Sequence, residues 1–164
     1  MRSIAWKYQE PEATEAMIVA VEHRLGIQYP ADFRSGVRGF HGATPSPSRF
    51  SYQHRGIGRV GTAIGCILSF DPASSAYVIP TVESHVREGI LPVGVVPFGE
   101  DGGGDLMAFD FRKDADNPPV VYVAISDAEE EGERHIYPLA PSFSAFLDML
   151  VSDDDQPSSP ADRH

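Results

Sequence analysis

The stretch that most limits what this chain can become covers residues 97–112 and reads PFGEDGGGDLMAFDFR. An apolar run at 93–98 leads into Gly99, Glu100, Asp101, Gly102, Gly103 and Gly104, and a second apolar run follows at 106–111. A glycine-rich connection with an Asp-Gly step between two strand-like runs predicts a β-hairpin. Glycine supplies the positive φ angles such a turn needs and leaves no side chain to block close backbone packing. Alternation along the second run places Met107, Phe109 and Phe111 on one face, and Leu106, Ala108 and Asp110 on the other.

The flanking sequence supplies helices and further strands. Met17, Ile18, Val21 and Leu25 recur at helical spacing over residues 14–25, with Gly26 where a C-terminal cap belongs. Pro30 opens a short helix expected over 31–40, although Gly36 and Gly39 each cost about 1 kcal/mol there. Residues 41–48 read as loop, 50–53 and 57–70 as strands, and 71–75 as a turn. A helix over 81–88 starts near Pro80 and ends at Gly89. Residues 120–125 are apolar on both faces and predict an interior strand, and 135–139 an edge strand. Ser142 caps a last helix that buries Phe143, Phe146, Leu147 and Leu150. Residues 1–12 form an arm whose possible docking anchors are Trp6 and Tyr8, and 13–151 form a single domain. Residues 152–164, SDDDQPSSPADRH, hold no core-forming residues and are expected to be a disordered acidic tail. The expected fold class is α+β, a mostly antiparallel central sheet flanked by N- and C-terminal helices.

Chemistry is harder to place. A phosphate-binding loop needs a lysine and a following helix, whereas Asp105 and a strand follow these glycines, and Glu100 and Asp101 add repulsion. Glu100, Asp101 and Asp105 could together offer oxygen ligands to Mg²⁺ or Ca²⁺, and such a site is what a metal-dependent hydrolase would use. Against that, Asp101 satisfies loop amides in an ordinary turn while the glycines permit the bend. Paired acids for proton transfer need tuned positions that a sequence does not display. The six histidines are scattered and fall into no HExxH or GxSxG pattern. The lone cysteine, Cys66, lies in an apolar run and reads as a buried inert thiol. No catalytic residue, cofactor or metal is assigned.

Charge narrows the partners. Thirteen Lys and Arg stand against 24 Asp and Glu, for a net −11. Residues 152–164 hold four Asp and one Arg, which leaves −8 on the rest. Such a field opposes direct nucleic-acid binding, which needs cations to displace counterions. It suits a basic protein partner, or simple solubility. The candidate contacts are Glu100, Asp101 and Asp105 on the hairpin and Glu129, Glu130 and Glu131 in the acidic run at 127–133. With no membrane-length apolar run, no signal-like start and no cysteine pair, the expected location is the cytoplasm.

Four segments together resemble the SUKH superfamily, which includes the fungal Smi/Knr regulators and many bacterial immunity proteins. They are VEHRLGIQYPADFR, VVPFGEDGGGDLMAFDFR, PPVVYVA and the C-terminal SFSAFLDML, in the family's order. One departure is Phe40-His41-Gly42-Ala43, where relatives carry an Asn-Gly-Gly-like turn. The resemblance implies an α+β binding domain with no recognised catalytic residue or cofactor. It further implies an immunity protein that neutralises a toxin, basic nucleases being one class of such toxins, with a Smi/Knr-like regulatory scaffold without a toxin partner as the alternative.

Overall fold

A computed structural model describes residues 3–126 and 135–152. The order of elements is β1 (Ala5–Lys7), α1 (Glu15–Leu25), α2 (Ala31–Arg34), α3 (Val37–Phe40), β2 (Thr44–Ser46), β3 (Arg49–His54), β4 (Gly58–Ile67), α4 (Val78–Arg87), β5 (Val95–Asp101), β6 (Leu106–Asp110), β7 (Val120–Val123), β8 (Ile136–Ala140) and α5 (Phe143–Asp148). Strands β3 to β8 form one sheet in sequence order, each antiparallel to the next, and β1 pairs with β2 in a separate two-stranded ribbon. The chain is α+β.

Alternation on β6 and β7 builds two apolar layers. Met107, Phe109, Val120 and Tyr122 join the main core with Ile18, Phe33, Phe98, Phe143 and Phe146. Leu106, Ala108, Val121 and Val123 face the other way and pack with Leu91, Val95 and Ile136. Strand β7 is interior as expected, with β6 on one side and β8 on the other. The sheet curls until its two edges touch: Tyr52 and His54 of β3 lie 5.3 and 5.1 Å from the Tyr137 ring of β8. Arg55 then donates through Nη2 to the Ile136 carbonyl at 2.8 Å. Curling gives both edge strands a neighbour and so blunts the risk that an open edge carries.

Helix α1 follows its pattern closely. The Thr14 hydroxyl accepts from the Met17 amide, and Gly26 closes the far end at φ 68°. Ser142 likewise caps α5 by accepting from the Ala145 amide at 3.1 Å. Helix α4 starts earlier than periodicity suggests, because Pro80 sits in the first turn, where its missing N–H costs nothing.

Three expectations are corrected. The helix expected over 31–40 is two single turns, broken at Ser35 and Gly36. The Phe40 ring lies where a Gly36 Cβ would stand, 2.7 Å from it, so the bend and the ring need each other. Residues 41–48 are not all loop, since β2 pairs with β1 and Trp6 opposes Pro45. Trp6 stacks on Phe40 at 4.5 Å, so this part of the arm is docked, whereas Tyr8 is 83% exposed. Finally, β5 runs on through Gly99 and Glu100 to Asp101, so the connection to β6 is Gly102, Gly103, Gly104 and Asp105 and no longer includes the expected Gly99, Glu100 and Asp101. Glycine at 99 is what lets the strand continue: a Cβ there would meet Met107 at 3.1 Å and the Cys66 carbonyl at 3.3 Å.

Candidate functional site

The hairpin turn is built by its own carboxylates. Asp101 and Asp105 close the strand pair through an amide-to-carbonyl bond of 2.9 Å. Asp101 Oδ1 accepts from the Gly103 and Asp105 amides, each at 2.9 Å. Its other oxygen accepts from Thr62 Oγ1 at 3.0 Å and from the Tyr122 hydroxyl at 2.7 Å. Asp105 reaches the same hydroxyl at 2.7 Å, and it accepts from the Ser126 amide at 2.8 Å and the Ser126 hydroxyl at 2.9 Å. Tyr122 thus stands between two buried carboxylates with one proton to give. Burial first, then the bonds to Asp101 and Asp105, hold its phenol far above the ordinary tyrosine range.

This geometry turns two of the six expected contact residues inward. Asp101 and Asp105 are buried and their oxygens are occupied by the turn, Tyr122, Thr62 and Ser126. Glu100 points elsewhere: it is half-buried and accepts from Cys66 Sγ at 3.7 Å. Burial first, then the Glu100 charge and that bond, push the Cys66 thiol up to about 12, as an inert thiol requires. Glu129, Glu130 and Glu131 lie outside the described residues. Among the described residues, no group of three or more His, Cys, Asp or Glu is placed to hold a metal ion.

Sequence reasoning missed a second polar cluster. His41 is fully buried; its Nδ1 faces the Phe70 amide at 3.0 Å and its Nε2 faces the Pro11 carbonyl at 2.8 Å. Ser69 donates to Glu10 Oε1 at 2.6 Å, and Ser74 donates to Glu10 Oε2 at 2.8 Å. Ser, His and Glu are the residue types of a nucleophilic triad, but the acid here holds the serine instead of orienting the histidine, and Ser69 is fully buried. The cluster is a clasp that ties the arm to the sheet. Gly42, at φ 75°, makes room for it, since a Cβ there would overlap the Glu10 carboxylate. The departing segment noted above, Phe40-His41-Gly42-Ala43, is therefore the floor of the clasp.

A groove of about 1180 Å³ opens between the C-terminal half of α1, α4 and the start of β5. The ion pair of Arg24 with Glu83, at 2.9 Å, joins the two helices across it. Deeper in, Glu22 is buried, accepting from the Tyr29 amide at 2.8 Å and from Arg34 at 3.2 Å. Opposite, Arg112 grips Asp110 through Nε and Nη2, at 2.9 and 3.0 Å. Gly94 permits this, because a Cβ there would lie 2.8 Å from the Arg112 stem. No local motif announces the groove, whose walls come from segments as far apart as Val19 and Asp116.

The SMI1/KNR4 family model, SUKH-1, matches residues 12–149. The chain belongs to that family. No curated protein matches it. The SUKH-1 match takes in the hairpin, Tyr122 and the whole six-stranded sheet, while β1 and the clasp residue Glu10 lie before it. The arm is thus an addition fastened to the SUKH-1 unit by Trp6, Glu10 and the ribbon of β1 with β2. Among the described residues no helix is long and apolar enough to cross a membrane.

Proposed function

We propose that this SUKH-1 chain is a non-catalytic binding protein that acts in the cytoplasm as an immunity protein, neutralising a toxin with a basic surface. One observation carries the non-catalytic reading. Asp101 and Asp105, the buried acids of the hairpin, spend their oxygens on amides and hydroxyls of their own chain. A general acid, base or metal ligand needs an oxygen that substrate or metal can reach. The hairpin instead fixes a shape. The charge of −8 outside the last thirteen residues supports a basic partner, drawn in by its field.

In this reading Glu100, Glu129, Glu130 and Glu131 are the contact candidates, and Asp101 and Asp105 serve the surface by holding the turn. Coexpression with toxin domains encoded beside the gene tests the proposal. Growth rescue with a stable complex is the expected result, and failure of both with every such domain overturns it. Charge reversal at the four glutamates should slow association and reduce its salt dependence. A regulatory scaffold without a toxin partner is the second reading, supported by the match to the SMI1/KNR4 model itself. Recovery of a stable non-toxin partner, with no protection from any toxin, would favour it.

A further inference from the structure

The arm is tied down, but what ties it is shallow or polar. Strand β1 exposes two of its three residues, and Trp6 is only half-buried on the Phe40 ring. Tyr8 is exposed and holds φ at 60°, a left-handed conformation that strains any residue but glycine. Glu10 is held by the Ser69 and Ser74 hydroxyls, with no Lys or Arg among the described residues against it. Pro11 and Glu12 are exposed, and the Glu12 pair with Arg38, at 3.7 Å, is a surface contact of little strength. The firmly packed body starts one residue later, at buried Ala13, whose amide bonds the Arg38 carbonyl at 2.9 Å. The SUKH-1 match starts at residue 12, so the packing and the family boundary divide the chain at the same place.

We infer that the arm is a detachable strap: residues 3–11 leave their seat as one unit while the SUKH-1 body stays folded, and the opened seat takes the arm of a second copy of this chain. The body keeps the seat in shape by itself. Phe40 stacks on Phe143 at 5.7 Å and meets Phe33 edge-on, so its ring stays in place without Trp6. Strand β2 is fixed to β4 by Ile67 donating to the Ala43 carbonyl at 2.8 Å and Thr44 Oγ1 to the Gly65 carbonyl at 2.6 Å. Its other edge, where β1 pairs, is then open to a strand from elsewhere. Ser69 and Ser74 are positioned by the Asp71 and Ala76 amides, at 3.0 and 3.1 Å. The seat therefore selects an extended segment with an aromatic ring and a carboxylate four residues further on. Trp6 and Glu10 meet that requirement, so the arm of a second copy fits as well as the chain's own. The chain's own arm has the advantage of its tether, which sets a high effective concentration. The strap rests on the arm and its seat alone and does not depend on the immunity reading.

Hydrogen exchange and NMR titration of the full chain test both halves of the inference. The β1 amides should share one exchange rate, at least about tenfold faster than those of Ala13, Met107 and Tyr122. Glu10→Gln should speed β1 about tenfold further and leave those three unchanged. A synthetic peptide of residues 3–12, SIAWKYQEPE, stands for the arm of a second copy. Added to the Trp6→Ala chain, it should give saturable shifts at the Phe40, Thr44, Ser46 and Ser69 amides below about 5 mM. The same peptide with Gln in place of Glu10 should bind about tenfold more weakly, and the unaltered chain should bind either peptide less well because its own arm competes. Exchange of β1 only together with the sheet, or loss of folding in Trp6→Ala, would show the arm to be inseparable and overturn the strap. No saturable shift, or equal binding of the two peptides, overturns the seating of a second copy.

Discussion

Replacing Tyr122 by phenylalanine removes one oxygen from between two buried carboxylates and almost nothing else. The ring keeps its stack on Tyr52, 4.1 Å between centroids, and its edge contact with Phe50, so no cavity forms. The loss is a hydroxyl 2.7 Å from both Asp101 and Asp105. A hydrogen bond to a charged group contributes roughly 1.5–3 kcal/mol, and the single proton serves one carboxylate at a time, so the expected cost is about 2 kcal/mol. For a domain of this length that lowers the melting temperature by about 4–8 °C. Urea unfolding at pH 7 should show the loss as a lower midpoint with an unchanged slope. The pH dependence adds a sharper check. In the unfolded chain Tyr122 ionises near 10, whereas in the native protein its phenol is held well above that. Above about pH 10 the unfolded state therefore releases a proton that the native state keeps, and stability falls as pH rises, by up to about 1.4 kcal/mol per unit. The phenylalanine variant lacks this loss, so its deficit should shrink above pH 10. Tyr29, also raised by burial, is common to both proteins and cancels. A cost under about 0.5 kcal/mol at pH 7 would refute the claim that this network holds the hairpin, since that is the range of an inert surface change. A deficit that stays constant between pH 9 and about 11 would refute the proton assignment.

Three further outcomes follow from the same structure. Arg112→Met strands the buried Asp110 carboxylate and should cost about 3 kcal/mol at pH 7 by chemical denaturation. Burial pushes the Asp110 carboxyl up, but the Arg112 bonds outweigh it and hold it below its ordinary value, so the difference between the two proteins should narrow as pH falls through about 4. Cys66, pushed up to about 12, should react with iodoacetamide at pH 8 roughly a thousandfold more slowly than a free thiol, and Glu100→Gln should speed it; alkylation at the free rate would contradict its placement. Gly42→Ala meets both a positive φ and the Glu10 carboxylate, so it should cost about 2 kcal/mol and speed hydrogen exchange at Ala5, Trp6 and Lys7.

What could be read from the sequence was set by range. The caps at Gly26 and Ser142, the two faces of β6 and the interior character of β7 all depend on neighbours within one element, and the structure agrees. The end of β5 was misplaced because local rules assign glycine and acid to loops, whereas Gly99 stays in the strand for the sake of Met107 and Cys66 across the sheet. The break at Gly36 depends on Phe40, which is itself held by Trp6 about thirty residues away. The clasp joins Glu10 to Ser69 across 59 positions, and the groove joins residues as distant as Val19 and Asp116. No period or motif carries such pairings.

The carboxylates show why a signature stretch and a binding surface need not be the same residues. Asp101 and Asp105 are surrounded by amides and hydroxyls of the turn, β4, β7 and Ser126, so changing either removes a partner from several buried groups at once. Such a change is read out as lost stability before it is read out as lost binding. Exposed positions carry the opposite burden. Arg87 and Val93 contribute little to the core, and their replacement alters what the surface attracts while leaving the sheet intact. A hairpin that fixes its shape with internal acids therefore frees the rest of the surface to differ in charge from face to face. In this chain that freedom permits a groove whose arginines and carboxylates offset one another on a protein whose overall field is strongly negative.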